Sequence, residues 1–250
     1  MVFIIAGVVT FAFTTVLTVA GVGAAFILIP LFLALGIELH VAMATALLLN
    51  AVAMVFASLR YIPAKLVEFR TALPILVVAT LLSPVGAYSS KFFPVPLLKW
   101  LFVGFLLFAA SMMLFYNAKT RDTGATTGKL VGYGLGVGSV AGYLGGLLGV
   151  GGGNFIVPVL VWLGFDPKKA SATTGFIVIF SSLSGFLGHA SLGSISSPLL
   201  AHTCAGSIGG ALLGAWLMQR KLQSGQVKTV IGVILYGIAA QMVWKLLTQR

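Results

Sequence analysis

The chain has 250 residues, of which 59% are apolar and 8% charged, with a formal net charge of +11 and a mean hydropathy of +1.11. About a quarter of the residues of a soluble domain are charged, so a soluble enzyme, a nucleic-acid module and a disordered tail are excluded, and lipid is the expected solvent. The charges fall in short clusters between apolar runs, the pattern of membrane-protein loops and not of a nucleic-acid-binding face. No Lys or Arg precedes Arg60, so the amino terminus does not read as a cleavable signal. The single cysteine, Cys204, lies in an apolar stretch and reads as a small hydrophobe.

A helix needs about 20 apolar residues to cross roughly 30 Å of hydrocarbon. In chain order, such runs are Val2–Ala20, Leu39–Leu59, Ala72–Ser89, Leu97–Asn117, Leu130–Leu148, Lys169–Gly188, Pro198–Met218 and Val227–Leu247. Phe26–Gly36 and Phe155–Gly164 are shorter, enough for about half a bilayer. Each short run follows glycines, Gly21 and Gly23 in one case and Gly149 and Gly151–Gly153 in the other, and each contains a proline, Pro30 or Pro158.

The two breaks belong to a duplication. Shifting the sequence by 128 lays Gly21-Val22-Gly23 on Gly149-Val150-Gly151, Pro30 on Pro158, and Ala44-Thr45 on Ala172-Thr173, with 9 identities over the 25 positions from Gly21 to Thr45. The expected division is a first repeat over 1–118, a polar linker over 119–128 and a second repeat over 129–250. With the half-helix returning the chain to its starting side, Lys and Arg divide 11 to 4 across the membrane. One side takes Arg60–Arg70, Lys119–Lys129, Lys168-Lys169 and Arg220–Lys228; the other takes Lys91, Lys99, Lys245 and Arg250. A half-helix that made no return would give no such bias, so the positive-inside rule favours inverted repeats with both termini outside. The expected fold class is an all-α integral membrane protein of two inverted repeats, each of four spanning helices and a Gly-broken half-helix. This is a design common among secondary transporters.

The stretch from Leu147 to Leu160, Leu-Leu-Gly-Val-Gly-Gly-Gly-Asn-Phe-Ile-Val-Pro-Val-Leu, is followed by Leu163-Gly164, Ala170-Ser171-Ala172-Thr173-Thr174 and a Gly-x-Leu-Gly-His element at Gly185–His189. It resembles the sulfite exporter TauE/SafE family over the whole chain. The resemblance implies a multi-pass cell-membrane permease for small sulfur-containing anions such as sulfite, sulfoacetate or related sulfonates. The first copy departs from the motif, with Ala24 and Ala25 where the second has glycines.

The candidate substrate-binding residues follow from the breaks. Gly151, Gly152, Gly153, Gly21 and Gly23 let backbone leave helical geometry and approach a ligand, although small residues also serve close helix packing in membranes. Asn154 adds an amide at a half-helix start, where free N–H groups suit an anion. Thr45, Thr173 and Thr174 open the following helices, though a membrane Thr commonly bonds back to its own helix. Asn50 is either an interhelical hydrogen bond or a site residue. His202 is the candidate proton relay; Asp166 before Pro167 reads as a helix cap. There is no metal-ligand spacing, no phosphate-binding loop and no nucleophile turn around Ser184, so neither an enzyme nor a cofactor is expected. The expected partners are the anionic substrate and lipid, with no nucleic acid; a homodimer is left open. An anion channel and a non-transporting scaffold subunit are the alternative readings.

Overall fold

A computed structural model describes residues 2–37, 39–90, 92, 94–115, 127–190 and 197–248. They form ten helices: α1 (Val2–Val19), α2 (Ala25–Ala34), α3 (Leu39–Tyr61), α4 (Phe69–Ser89), α5 (Val95–Phe115), α6 (Thr127–Leu147), α7 (Gly153–Trp162), α8 (Pro167–Ala190), α9 (Ser197–Arg220) and α10 (Ser224–Thr248). Helices satisfy their own backbone groups, the requirement for any segment surrounded by lipid. Val41–Tyr61, Phe69–Ser89, Pro167–His189, Pro198–Arg220 and Ser224–Thr248 are long and apolar enough to cross a membrane. α2 and α7 are the two half-length helices, ten residues each, and they correspond under the shift of 128. The linker proposed for residues 119–128 lies mostly outside the described residues.

The breaks in helical hydrogen bonding have identifiable causes. α4 contains Pro74 and Pro84. Pro84 has no N–H for the carbonyl four residues earlier, and the Ser184 hydroxyl donates to that carbonyl, Thr80 O, at 2.7 Å. α8 begins after Asp166, whose Oδ1 accepts the N–H groups of Lys168 and Lys169 at 2.9 and 3.3 Å, with Pro167 as the first helical residue. The capping role read from the sequence is the one observed.

Packing crosses between the copies. α1 lies on α9, with Gly7 on His202, Gly210 on Phe11 and Gly214 on Thr15 and Thr18, so the two run the same way. α6 lies on α4 in the same manner: Gly134 on Pro74, Gly142 on Ala79 and Gly146 on Ser83. At these glycines a Cβ would meet the neighbouring helix's backbone or Cβ atoms; small residues allow that close approach. α3 and α8 run in opposite directions, with Gly175 on Met54 and Tyr61, Asn50 bonded to Ser182, and Gly185 on Leu47. Ser207 donates to Leu49 O and Gln219 to Arg60 O, which sets α9 parallel to α3. Glu68 N–H donates to Thr173 Oγ1 at the start of α4 and Gly188 packs on Pro84 and Ala87 near its end, which sets α4 parallel to α8. Thus α1, α3 and α9 run one way and α4, α6 and α8 the other. Because α1 and α3 share a direction, the chain returns between them through α2; α7 does the same between α6 and α8.

One end of the bundle gathers basic residues. Gln219 Nε2 donates to Arg60 O at 2.6 Å, Lys169 Nζ pairs with Glu68 Oε1 at 2.6 Å, and Lys221 lies over the Trp216 ring. This end brings together three of the basic clusters that the sequence assigns to one side.

Candidate functional site

The two glycine breaks are local helix stops of one design. Val22 N–H donates to Leu17 O at 3.4 Å and Gly21 N–H to Thr18 O at 3.0 Å; Val150 donates to Gly145 O at 3.0 Å and Gly149 to Gly146 O at 3.1 Å. This paired bonding closes a helix around a left-handed residue just past its end. Gly21 and Gly149 have φ of 70° and 67°, and the next glycines, Gly23 and Gly151, have 74° and 68°. A Cβ is strained in that region, so both breaks need glycine at two alternate positions. Gly36 (φ 80°) and Gly164 (φ 95°) end the half-helices and again stand 128 residues apart.

The breaks interlock with each other and with the long helices of the opposite copy. Gly21 seats on Ser171, whose hydroxyl donates to Ala20 O at 3.2 Å, and Gly149 seats on Met43, the residue 128 before Ser171. Gly23 faces the Asn50 amide; a Cβ on Gly151 would lie 2.6 Å from Ser182 Oγ and 3.0 Å from Asn50 Nδ2. Gly153 packs on Val22 of the other break. Tyr61 donates its hydroxyl to Thr18 O at 3.1 Å, and His189, its counterpart 128 residues on, donates Nε2–H to Gly146 O at 3.1 Å. Each therefore supports a carbonyl in the last turn before a break.

Polar groups collect here. Asn50 Nδ2 donates to Ser182 Oγ at 3.0 Å, while Asn50 Oδ1 is buried with no partner among the described residues. Asn154, in the first turn of α7, is 1% exposed, and neither of its amide atoms has a hydrogen-bond partner among the described residues. The Thr174 hydroxyl, on α8, is likewise buried and without a partner among the described residues. Each such group forgoes about 1–3 kcal/mol of hydrogen bonding. An anion beside the N–H groups of the α7 start would recover it for the donors, Asn154 Nδ2 and the Thr174 hydroxyl, but not for the amide oxygens, which are acceptors. Two breaks, Asn50 and Ser182 thus form one cluster, and Asn154 stands three residues beyond Gly151.

Other candidates have local occupations. Thr45 donates to its own helix at Val41 O, 2.7 Å away. Thr173 Oγ1 accepts the Glu68 N–H at 3.0 Å and so anchors the start of α4. Gly152 has φ −73° as the residue before α7 and packs on Ala141 of α6. The glycine triplet therefore divides: Gly151 supplies the left-handed turn, while Gly152 and Gly153 supply close packing. His202 is exposed and donates Nδ1–H to Pro198 O at 2.8 Å, beside Gly7 and far along α1 from Gly21. Cys204 is partly buried and packs against the hydrophobic core, in keeping with the small hydrophobe read from the sequence.

Ser182 and Tyr61 were not among the residues expected from the sequence. Ser182 follows Thr174 by eight residues, so both lie on one face of α8; that periodicity is the signal that could have found it. An apolar groove of about 280 Å³ between α6 and α7 is lined by Gly136, Val140, Phe155, Val159 and Trp162 among others, and the Trp162 indole carries its sole side-chain donor.

The sulfite exporter TauE/SafE family model matches residues 5–242. The chain is similar to the "Probable membrane transporter protein YunE" of Bacillus subtilis (strain 168), 29% identical over 258 aligned positions that cover 92% of this chain and 93% of the relative. It is also similar to "Sulfite exporter TauE/SafE family protein 3" of Arabidopsis thaliana, 36% identical over 98 residues, covering 39% of this chain and 20% of the relative. "Sulfite exporter TauE/SafE family protein 1" of the same plant is 51% identical over 43 residues, 17% of this chain and 10% of the relative. No solved structure matches the chain significantly. The family match over nearly the whole length, with described residues that are all-helical in their regular structure and include five helices able to cross a membrane, places this multi-pass protein in the sulfite exporter TauE/SafE family of membrane transporters.

Proposed function

We propose that the chain is a secondary transporter that exports small sulfur-containing anions, such as sulfite, sulfoacetate or related organosulfonates, through a site at the meeting of the two glycine breaks. The observation that carries this is Asn154, a fully buried amide with both polar atoms unpartnered among the described residues, at the start of a half-helix. Thr174, Asn50 and Ser182 supply further neutral groups, and Gly151 leaves room for them. A hydrogen bond to a charged group is worth about 1.5–3 kcal/mol, so a few such donors hold a compact oxyanion without a fixed charge and still release it. The names of the relatives, one a probable membrane transporter and others sulfite exporter family proteins, favour the same substrate class.

The opposed directions of α3 and α8, and of α4 and α9, support reading the two copies as inverted repeats. The basic end that holds Arg60, Lys169 and Lys221 is then the cytoplasmic face by the positive-inside rule, with both termini outside the cell membrane. Uptake of labelled sulfite, thiosulfate, sulfoacetate and taurine into proteoliposomes tests the function. The expected result is saturable uptake of a sulfur oxyanion that thiosulfate or sulfoacetate competes away. Uptake that never saturates would make the protein a channel, and preference for a neutral solute would remove the anion reading.

A further inference from the structure

Resting on that reading of the site, we infer that the substrate crosses as a singly protonated oxyanion, such as hydrogensulfite in its O–H form, and that Asn154 recognises the edge that carries the proton. Asn154 is 1% exposed, and its Nδ2 and Oδ1 both lack a hydrogen-bond partner among the described residues. An amide presents a donor and an acceptor side by side, whichever way its plane is turned. A fully ionised oxyanion offers acceptors alone: it satisfies Nδ2 but sets a second negative oxygen against Oδ1. A bare cation does the reverse. A ligand edge of the form O=S–O–H meets both atoms at once. Its S–O oxygen accepts from Nδ2 and its O–H donates to Oδ1, in the paired geometry of an amide with an acid.

The surroundings suit one ligand with both characters. Asn154 stands in the first turn of α7, where free N–H groups face the ionised oxygens of such a ligand. Its neighbour Gly153 seats on Val22, and the Asn50 amide lies against the next residue, Gly23, with Oδ1 as the nearest atom. Asn50 Nδ2 donates to Ser182 Oγ, while Oδ1 is a second buried acceptor without a partner among the described residues. The breaks thus bring two amides with unpaired acceptors to consecutive residues, beside a helix start that favours negative charge. An O–H on the anion resolves that mismatch. Sulfite gains one as the pH falls through neutrality; a simple sulfonate does not. The proton stays on the substrate: hydrogensulfite enters from one side, leaves intact on the other and ionises in bulk water. α7 packs on α5, α6 and α8. Among the described side chains, the titratable groups of these helices are Tyr143, Lys168, Lys169 and His189. Lys168 and Lys169 lie in the first turn of α8, Lys169 paired with Glu68, and His189 is bonded to Gly146 O at the second break. The experiment must therefore separate a proton on His189 from one on the substrate.

Initial rates of labelled sulfite uptake are measured in proteoliposomes, above those of protein-free vesicles, at low fixed total sulfite across neutral pH. Potassium with valinomycin on both sides holds the potential at zero. Labelled methanesulfonate serves as a monoanion of fixed charge without an O–H. Sulfite uptake should fall about tenfold per pH unit above the second ionisation of sulfurous acid, should acidify the lumen, and should not change when choline replaces sodium. Methanesulfonate should move roughly tenfold or more slower, because it leaves a buried acceptor unpaired. Asn154→Ala should bring the ratio of sulfite to methanesulfonate rates down towards one, a change that a packing role does not produce. His189→Gln should keep the pH profile of sulfite uptake, whatever its rate. Methanesulfonate uptake equal to that of sulfite, sulfite uptake that rises with pH or requires sodium, an unchanged ratio in Asn154→Ala, or a flattened profile in His189→Gln would each overturn the protonated-edge inference while leaving the anion-transport reading intact. Movement of neither anion at any pH would overturn both.

Discussion

At the residue scale, Asn154 carries a signature that separates ligand binding from packing. An amide kept for structure is bonded, and losing it costs stability; an amide kept for a ligand is unsatisfied until the ligand arrives. Both polar atoms of Asn154 are buried without a partner among the described residues. Asn154→Ala should therefore leave the thermal midpoint of the detergent-solubilised protein unchanged or higher, while sulfite affinity in flux assays falls roughly tenfold to hundredfold, the equivalent of one or two hydrogen bonds to a charged group. A lowered midpoint with normal flux would return Asn154 to the core. Asn154 and Asn50 could be found from the sequence because an amide inside an apolar run is conspicuous. Ser182 could not be found so readily: a serine among Ser181, Ser182 and Ser184 looks like its neighbours until α3 is laid against α8. Nor does sequence alone distinguish the three glycines at 151–153, since a left-handed turn and a close contact demand the same residue.

At the level of elements, apolar run length placed all eight long helices and both half-helices, with ends displaced by a few residues. α4, for instance, starts at Phe69 and not Ala72, its start anchored by the Glu68 N–H on Thr173 Oγ1. The pairing of helices was not legible. α1 on α9 and α4 on α6 are contacts between the two copies, and they rest on glycine stripes whose partners are far away in sequence. Position within the stripe decides the cost of a side chain. A Cβ at Gly142 would lie 2.5 Å from Ala79 Cα, and one at Gly210 would lie 2.5 Å from Phe11 O, whereas a Cβ at Gly104 or Gly237 meets nothing within 4 Å. Gly142→Leu and Gly210→Leu should each destabilise the protein by about 1–3 kcal/mol or more, since neither neighbouring backbone can yield cheaply. Gly104→Leu and Gly237→Leu should be silent. Thermal melting followed by size-exclusion chromatography in detergent checks this, and equal losses at all four sites would show that the close helix contacts are not where the fold is sensitive.

On the scale of the whole molecule, the duplication explains why so few residue types suffice. The left-handed glycines recur at 21 and 149, 23 and 151, and 36 and 164, and Tyr61 and His189 make equivalent bonds to Thr18 and Gly146. The copies have diverged where a ligand would sit: Asn154 stands opposite Phe26, and Gly152-Gly153 opposite Ala24-Ala25. One architecture, used twice, thus frames a single polar site. The direction of each copy has a direct consequence for topology. α3 and α8 correspond in sequence and run oppositely, so equivalent points in the two copies should face opposite sides of the membrane. The end that gathers Arg60, Lys169 and Lys221 should face the cytoplasm, because translocating such clusters is disfavoured. In a Cys204→Ala background, Thr123→Cys should react with a membrane-impermeant maleimide only after the membrane is opened, whereas Gln249→Cys should react in intact cells. The first position lies in the basic segment between the copies, and the second lies one helix beyond the basic end, past α10. Reaction of both positions in intact cells, or of neither, would place the linker and the carboxyl terminus on one side, and that would be incompatible with five alternating elements per copy.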